Sequence, residues 1–260
     1  MTIEIDSNAL TANANKIGWT QLANTNLLIL VGVTGVGKTT TVNALRAGGL
    51  SYALLPNRRT LTDEFIIGYL QTQDGQTPNL VQDRAVRFDY TRRYRAQFAG
   101  GMAHALAQLS IDPNALTADW LIFDGLRGAN EVTHAAALLP NARFLMLDAP
   151  DVVRVQRLLN RNDAFDTISS SQATTDLSAY NSLFGIDGVQ TLTALVDSGE
   201  VALDQLKSKI AIVQKERENY DPAGTKEALL TDAKERTIYI DTSVKTAAQA
   251  AEFALERLTR

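Results

Sequence analysis

The sequence predicts an α/β fold in three layers, in which a parallel five-stranded sheet is flanked by helices. Two observations indicate this class. Apolar runs recur along the chain with helical patterns between or after them, and the first run breaks at glycine, which is typical of a buried parallel strand. The predicted strands are LLILVGV (27–33), SYALL (51–55), WLIFDG (120–125), RFLMLDA (143–149) and TIYIDT (237–242).

The first helix follows the first strand closely. Its pattern covers Lys38 to Ala47 and stops at Gly48 and Gly49, residues suited to a left-handed C-cap. Strands and helices that alternate in this way form one core, which we place at residues 27–161 and 235–260. Residues 1–26 are then an N-terminal extension.

Two long segments interrupt the alternation. Residues 56–118 are polar and arginine-rich, then helical. Residues 162–234 begin with the low-complexity stretch DTISSSQATTD, continue through the helical pattern VALDQLKSKIAIVQKEREN, and contain the breaker DPAG. Long connections in compact domains are usually lids, binding segments or disorder. We therefore predict a substrate-binding excursion at 56–118 and a mostly helical insertion or lid at 162–234.

The composition narrows the classes of function. A net charge of −4 and a pI near 5.3 argue against general binding to nucleic acid or anionic membranes, because both rest on a positive field. No apolar stretch is long enough to span a bilayer. The chain has no cysteine, so it has no thiolate nucleophile and no disulfide, which fits the cytoplasm. We expect a soluble cytoplasmic protein.

The loop GVTGVGKTT (32–40) lies between the first strand and the first helix. Gly32, Gly37, Lys38 and Thr39 satisfy the pattern GxxxxGK[ST], in which backbone N–H groups surround phosphate oxygens, the lysine reaches the β and γ phosphates, and the hydroxyl binds magnesium. The alternative is a glycine-rich turn with a helix-capping threonine. The residues predicted to contact the nucleotide are Gly32, Thr34, Gly35, Val36, Gly37, Lys38, Thr39 and Thr40.

This loop resembles that of the P-loop nucleotide-binding superfamily. The resemblance implies a P-loop fold that uses ATP or GTP with Mg²⁺. Guanine-nucleotide specificity usually brings an NKxD-type segment, and the sequence contains none. We therefore expect ATP.

The strand WLIFDG carries an acidic residue near its end. Asp124 occupies the position where a carboxylate would hold magnesium or its water shell, so Thr39 and Asp124 are the predicted metal ligands. The alternative is that Asp124 only caps the following turn.

The segment DGLRGANEV (124–132) resembles the one after the third strand in the nucleoside-monophosphate-kinase-like group, which includes adenylate, guanylate and dephospho-coenzyme A kinases. Adenylate kinases have Asp-Gly-aromatic-Pro-Arg there. Asp124 and Gly125 match, the proline is missing, and Arg127 comes one position early. The resemblance implies that Arg127 meets an acceptor phosphate.

A predicted helix after the fourth strand carries Arg154, Arg157 and Arg161 on one face. In the resembled kinases this helix leads into a lid whose arginines close on the transferring phosphoryl group. Lys38, Asp124, Arg127, Arg157 and Arg161 are therefore the predicted catalytic residues. An ordinary solvated basic face is the alternative, and it applies most to Arg154.

Further arginines are candidates for holding an anionic acceptor. Arg58 and Arg59 follow the second strand, where guanylate kinases also carry acceptor-binding arginines, and Arg92 lies in DRAVRFDYTRRYRAQF (83–98). That segment also has an apolar stripe of Val86, Tyr90, Tyr94 and Phe98, most simply core packing. Alternatively, the interleaved aromatic residues and arginines would suit binding to single-stranded nucleic acid. His104 and His134 lie on apolar helical patterns and are expected to pack.

Together these features predict ATP-dependent, Mg²⁺-dependent phosphoryl transfer to a small anionic acceptor. The residues leave open whether the acceptor atom is a phosphate oxygen or a hydroxyl, which would benefit from a base such as Asp63 or Asp124. Two alternatives remain. A regulatory ATPase would need only the loop and Asp124 and would bind a partner through the insertion, whereas a polynucleotide end kinase would use the Arg84–Arg95 segment. The oligomeric state is left open.

Overall fold

The computed structural model describes residues 3–13, 16–161 and 177–258. The strands in these ranges are β1 (Ile3–Glu4), β2 (Leu10–Thr11), β3 (Thr20–Gln21), β4 (Leu27–Val31), β5 (Tyr52–Leu54), β6 (Ser110–Ile111), β7 (Trp120–Leu126), β8 (Arg143–Asp148) and β9 (Thr237–Asp241). The helices of the first half are α1 (Lys38–Ala47), α2 (Arg58–Leu61), α3 (Gly68–Gln73), α4 (Arg84–Gln97) and α5 (Met102–Gln108), with a π-helical turn (Thr62–Ile67) between α2 and α3. The second half contains α6 (Ala129–Leu138), α7 (Asp151–Leu159), α8 (Asn181–Asp197), α9 (Leu203–Tyr220), α10 (Pro222–Asp232) and α11 (Ala247–Leu258).

The central sheet confirms the predicted α/β class. Its order is β1-β5-β7-β4-β8-β9, and every neighbouring pair is parallel. The five predicted strands are all present, and the prediction of five was one strand short. The sixth strand is Ile3–Glu4, which pairs with Ala53 and Leu54 at the edge of the sheet. Two residues are too few to show a hydrophobic period, so the sequence gives no signal for this strand.

The N-terminal segment is hydrogen bonded to the rest of the molecule. Besides β1, it contributes β2 and β3, which pair antiparallel with β6 on either side of that strand. β6 belongs to the predicted 56–118 excursion, so residues 3–26 and the excursion share a small second sheet. Leu10, Leu22 and Ile111 are buried in the same core cluster.

Apolar side chains cover both faces of the central sheet, as its buried strands require. Alternate residues of β4 point to opposite faces, so Leu27, Ile29 and Val31 join one core cluster and Leu28 and Leu30 join the other. β4 lies in the middle of the sheet, and the chain leaves it first toward β5 and later toward β8. In open parallel sheets, ligands bind at the carboxyl ends of the strands where the connections diverge in this way.

The described part of the insertion, residues 177–234, is mostly helical, as predicted. α8 and α9 pack against α7 through an apolar cluster that includes Leu158, Leu192, Leu206, Ile210 and Val213. α10 packs instead against α6, and Leu229 is buried in a core cluster of the sheet. Residues 162–176, which include the predicted low-complexity stretch DTISSSQATTD, lie outside the described residues. The breaker DPAG separates α9 from α10 at Asp221.

The aromatic stripe predicted for 83–98 packs on the core from its second residue onward. Tyr90 and Tyr94 are buried, whereas Val86 is exposed. His104 accepts or donates a hydrogen bond at the Tyr94 hydroxyl (3.0 Å) and stacks on Phe98, so it packs as predicted. Burial lowers the pKa of His104. Across the described ranges, no helix is long and apolar enough to cross a bilayer.

Candidate nucleotide and acceptor site

The loop after β4 has the form of an anion-binding nest. Gly37 is the N-cap of α1 and has a φ of 90°, a left-handed conformation that favours glycine. α1 therefore begins at Lys38, and its first N–H groups, which have no partner within the helix, face the loop. The helix bounds match the predicted Lys38–Ala47. A helix N-terminus preceded by a glycine loop is a geometry suited to binding an anion.

Lys38 folds back over this loop. Its Nζ donates hydrogen bonds to the carbonyl oxygens of Gly32 (2.9 Å) and Val33 (3.1 Å), and it lies 3.8 Å from Asp124 Oδ1. Burial lowers the pKa of Lys38, and the nearby Asp124 carboxylate opposes that effect. A second negative charge beside the ammonium would stabilise its charged form, as a bound polyphosphate provides.

Asp124 lies beside the loop because of the strand order. β7 is the neighbour of β4, and Leu30 is in register with Asp124 just before the loop begins. The Asp124 side chain is 44% exposed and lines the same cavity as Thr39. A carboxylate and a hydroxyl are oxygen ligands that suit Mg²⁺, which is usually bound by one or two protein groups together with substrate phosphates and water. The donor set therefore fits the predicted metal.

The loop forms the floor of a cavity of about 720 Å³. Among the described residues, one carboxylate, that of Asp124, and five cationic side chains line it: Lys38, Arg127, Arg157, Arg161 and Lys245. Thr34, Gly35, Gly37, Thr39 and Thr40 of the loop also line it, whereas Gly32 and Val36 are not among its lining residues. This excess of positive charge suits a polyphosphate. Lys245, in the segment after β9, is a lining residue that the sequence analysis did not identify, since no motif marks it.

The predicted lid arginines lie on the wall of this cavity. Arg157 donates to the carbonyl oxygen of Gly35 (3.2 Å) and to the hydroxyl (2.8 Å) and carbonyl (2.7 Å) of Thr242. It therefore ties the phosphate loop to the end of β9. Arg161 is the last described residue before the gap at 162–176 and lines the same cavity. Their role in closing a lid stays a prediction.

Arg154 does not lie on a solvated basic face. Its side chain is only 1% exposed. It donates to the Thr34 carbonyl oxygen (2.9 Å), to Asp151 (2.6 Å) and to Glu216 of α9. The sequence analysis missed Glu216, because its partners are distant in the chain and its local pattern, KEREN, is that of an ordinary exposed helix.

Arg127 lies between the loop and α9. Its Nη1 is 3.5 Å from Glu216 Oε1, and its guanidinium lies 5.7 Å from the centre of the Tyr220 ring. Arg127 Nε is buried without a hydrogen-bond partner, one of three such side-chain atoms among the described residues. A buried donor without a partner is uncommon, and it belongs to a residue that lines the first cavity.

A second cavity of about 490 Å³ begins where the first ends. Asp124 and Arg127 line the first cavity, and Gly128 to Glu131 line the second. Other parts of its wall come from the 56–118 excursion and from the end of α9, and include Arg58, Thr62, Arg95, Glu218 and Tyr220. The 56–118 excursion, the segment that follows β7 and the end of α9 thus meet in the wall of the second cavity.

The three predicted acceptor arginines differ in position. Arg58 lines the second cavity and forms a two-point ion pair with Glu131 (2.5 and 2.7 Å). Arg59 is exposed and Arg92, exposed as well, pairs with Asp89. Neither Arg59 nor Arg92 lines the two cavities described above. Arg95, one turn along α4 from Arg92, does line the second one.

Gly32 permits the close packing of the loop on β8, and Gly32→Ala should destabilise the fold by about 2 kcal/mol or more. An added Cβ would lie 2.5 Å from the Leu147 carbonyl oxygen, at a φ of 145°. Gly49→Ala is a matched control, because Gly49 also has a positive φ (97°) but meets no atom within 4 Å. Urea unfolding of both variants would separate the steric clash from the backbone strain. An equal loss of unfolding free energy in both variants would contradict a steric clash at Gly32.

Comparisons with known proteins give only distant similarities. No protein family model matches the chain, and no curated protein matches its sequence. Among solved structures, a sugar kinase from Janibacter sp. HTCC2649 is 17% identical (TM-score 0.38; 90% of this chain and 95% of that chain covered). A gluconokinase from Sinorhizobium meliloti 1021 is 13% identical (TM-score 0.39; 91% and 92%), and a sulfotransferase from Alicyclobacillus acidocaldarius is 11% identical (TM-score 0.39; 91% and 81%). Similarities this low carry no argument about the reaction.

The chain's own topology and loop define its class. A central parallel strand leads through GxxxxGKT into a helix, and the neighbouring strand brings a carboxylate to 3.8 Å from the loop lysine. The class is a three-layer α/β fold with a parallel sheet, in which the GxxxxGK[ST] pattern lies between β4 and α1.

Proposed function

We propose that this protein transfers the γ-phosphoryl group of ATP, with Mg²⁺, to a small acceptor that carries an anionic group. One observation carries the proposal: consecutive residues of the segment after β7 line two cavities, one floored by the phosphate loop and the other facing the 56–118 excursion. A phosphoryl transferase must hold donor and acceptor side by side. A regulatory ATPase requires only the first cavity.

The donor end is supported by the groups around the loop. The loop N–H groups, Lys38 and Arg127 would bind the phosphate oxygens and neutralise the charge that develops during transfer. Thr39 and Asp124 would hold Mg²⁺, which supplies further neutralisation of the phosphates when it is bound. The acceptor oxygen forms the new bond to phosphorus while the bond from phosphorus to the β–γ bridging oxygen breaks.

The acceptor end is supported by Arg58 and Arg95, both in the wall of the second cavity. Arg58 is held by Glu131, so its guanidinium is fixed in position but partly neutralised. We propose that Arg95 takes the part that the sequence analysis assigned to Arg92. The nucleic-acid alternative has less support, because Arg87, Arg92 and Arg93 on the same helix pair with Asp63, Asp89 and Asp74.

The test is incubation of the protein with γ-labelled ATP, Mg²⁺ and a panel of acceptors, with label followed into each product by chromatography. The panel would contain nucleoside monophosphates, dephospho-coenzyme A, sugars, sugar acids, sugar phosphates and oligonucleotide ends. We expect label on one class of small anionic acceptor. Free phosphate as the sole product with every acceptor would favour the regulatory ATPase instead.

For the acceptor found in this way, Arg95→Ala should raise KM by about tenfold or more, the effect expected when a charged hydrogen-bond donor is lost. Arg92→Ala is the matched control, since Arg92 lies on the same helix, is exposed and pairs with Asp89. Its kinetics should equal those of the wild type. If Arg92→Ala raises KM and Arg95→Ala does not, the acceptor does not bind in the second cavity.

A further inference from the structure

Glu216 joins the helical insertion to the phosphate loop. Its carboxylate accepts hydrogen bonds from the Thr34 N–H (3.0 and 3.2 Å) and from the Thr34 hydroxyl (2.6 Å). Its side chain is 10% exposed. Thr34 itself lines the nucleotide cavity. One carboxylate of the insertion therefore binds a residue that is placed to meet the phosphates.

The Thr34 residue is held from both sides. Arg154 donates to the Thr34 carbonyl oxygen while Glu216 accepts from its N–H, and Arg154 and Glu216 also bind each other. The pair thus fixes the peptide groups on either side of Thr34, in the loop that lines the first cavity. Glu216 Oε1 also faces Arg127, the cavity residue that carries the unsatisfied Nε donor.

The same helix end forms part of the second cavity. Glu218, Asn219, Tyr220 and Asp221 follow Glu216 within about one helical turn, and all four line that cavity. Asp221 ends α9 with a φ of 36°, a left-handed conformation that is uncommon outside glycine. The end of α9 therefore contacts the phosphate loop at one residue and forms the wall of the acceptor cavity over the next few.

We propose that Glu216 is a positioning residue that couples the two cavities: it fixes Thr34 and Arg127 for the nucleotide and transmits nucleotide binding to the α9 end that contacts the acceptor. The proposal rests on the proposed nucleotide site. It assigns to the insertion a task inside the molecule, whereas the regulatory ATPase alternative would use the insertion to bind a partner. A change in the position of Thr34 on nucleotide binding would reach α9 through its hydrogen bonds to the Glu216 carboxylate.

The experiment measures nucleotide binding without any acceptor. Calorimetry would give the affinity of Mg²⁺-ADP and of Mg²⁺-β,γ-imido-ATP for the wild type, Glu216→Gln and Asp204→Asn. Glu216→Gln should weaken binding of both nucleotides by about tenfold or more, as expected for loss of charged hydrogen bonds to the loop. Asp204→Asn makes the same charge change at an exposed position of α9 and should bind like the wild type.

Hydrogen exchange tests the coupling itself. Mg²⁺-β,γ-imido-ATP should slow exchange in peptides covering 216–221 of the wild type, and this response should be absent in Glu216→Gln. A merely structural role would lower the stability of the free protein and leave the nucleotide response in place. Should Glu216→Gln fail to fold, Thr34→Val and Thr34→Ser replace it. Serine keeps the hydroxyl that binds Glu216 and should retain the response, whereas valine should reduce it.

Each other outcome counts against the proposal. Unchanged affinity together with an unchanged exchange response in Glu216→Gln would overturn it. Tighter binding of the triphosphate analogue by Glu216→Gln would show a carboxylate that competes with phosphate, which also overturns a positioning role. If the wild type binds neither nucleotide, the proposed function fails together with the inference, and that result is distinguishable from the other two.

Discussion

Lys38→Ala should lower the kcat of phosphoryl transfer by about 100-fold to 1,000-fold. Lys38 Nζ is the cation nearest to the loop carbonyl oxygens of Gly32 and Val33, at 2.9 and 3.1 Å, and lies 3.8 Å from Asp124. A group in this position binds the transferring phosphoryl group more strongly as its charge develops. Its removal takes away the cation that is hydrogen bonded to the loop itself.

The variant should remain folded, and the lowered pKa of Lys38 gives the reason. Burial opposes the charged form of Lys38 in the folded protein, so the charge itself does not contribute to stability at neutral pH. The free energy of unfolding should change by less than about 1 kcal/mol, which urea titration would measure. The loss of activity would then come from slower phosphoryl transfer in a folded protein, and unfolding would not explain it.

The matched control is Lys245→Ala. Lys245 lines the same cavity from the segment after β9, where it also lies over the Phe253 ring at 5.2 Å. It contributes to the positive field without contacting the phosphate loop, so its removal should cost about tenfold or less in the affinity for ATP and leave kcat largely unchanged. Equal effects of the two substitutions on kcat would contradict the specific role of Lys38.

The features that the sequence predicted well are local in the chain. The loop, the helix at Lys38–Ala47 and the five core strands each depend on residues within about ten positions, where spacing and hydrophobic period are informative. The adjacency of Lys38 and Asp124 follows from the same patterns, because parallel strands bring their carboxyl ends to one edge.

The features that the sequence did not predict depend on contacts between segments that are distant in the chain. Glu216 binds Thr34 across 182 positions and Arg154 across 62. A helical pattern rich in Lys, Glu and Arg indicates a solvated face, and nothing local shows that one of its carboxylates will be buried. Arg58 is similar: the sequence places an arginine after the second strand, but only the fold shows that Glu131 occupies its guanidinium.

The buried ion pair between Arg154 and Glu216 leads to the second large prediction, which concerns stability. Arg154→Met should lower the free energy of unfolding by about 3 to 5 kcal/mol. Methionine fills much of the space of the arginine side chain but leaves the carboxylates of Asp151 and Glu216, which are 7% and 10% exposed, without their buried cation. Asp151 keeps Arg217 and Glu216 keeps Arg127 at 3.5 Å, but both lose their most buried cation, which is costly where water has so little access. The Thr34 carbonyl oxygen also loses its donor.

Arg217→Ala provides the comparison, because Arg217 pairs with the same Asp151 carboxylate from a position where its side chain is 52% exposed. Arg154 and Arg217 share Asp151 as a partner and differ in burial. Screening by water makes the exposed pair worth at most about 1 kcal/mol, so Arg217→Ala should lower the free energy of unfolding by no more than that. Urea unfolding at neutral pH would measure both. A loss below about 1 kcal/mol for Arg154→Met would mean that water reaches the two carboxylates once the arginine is gone. The helical insertion would then be held to the core by the apolar cluster around Leu206 and Ile210, and the ion pair would serve only to position Thr34.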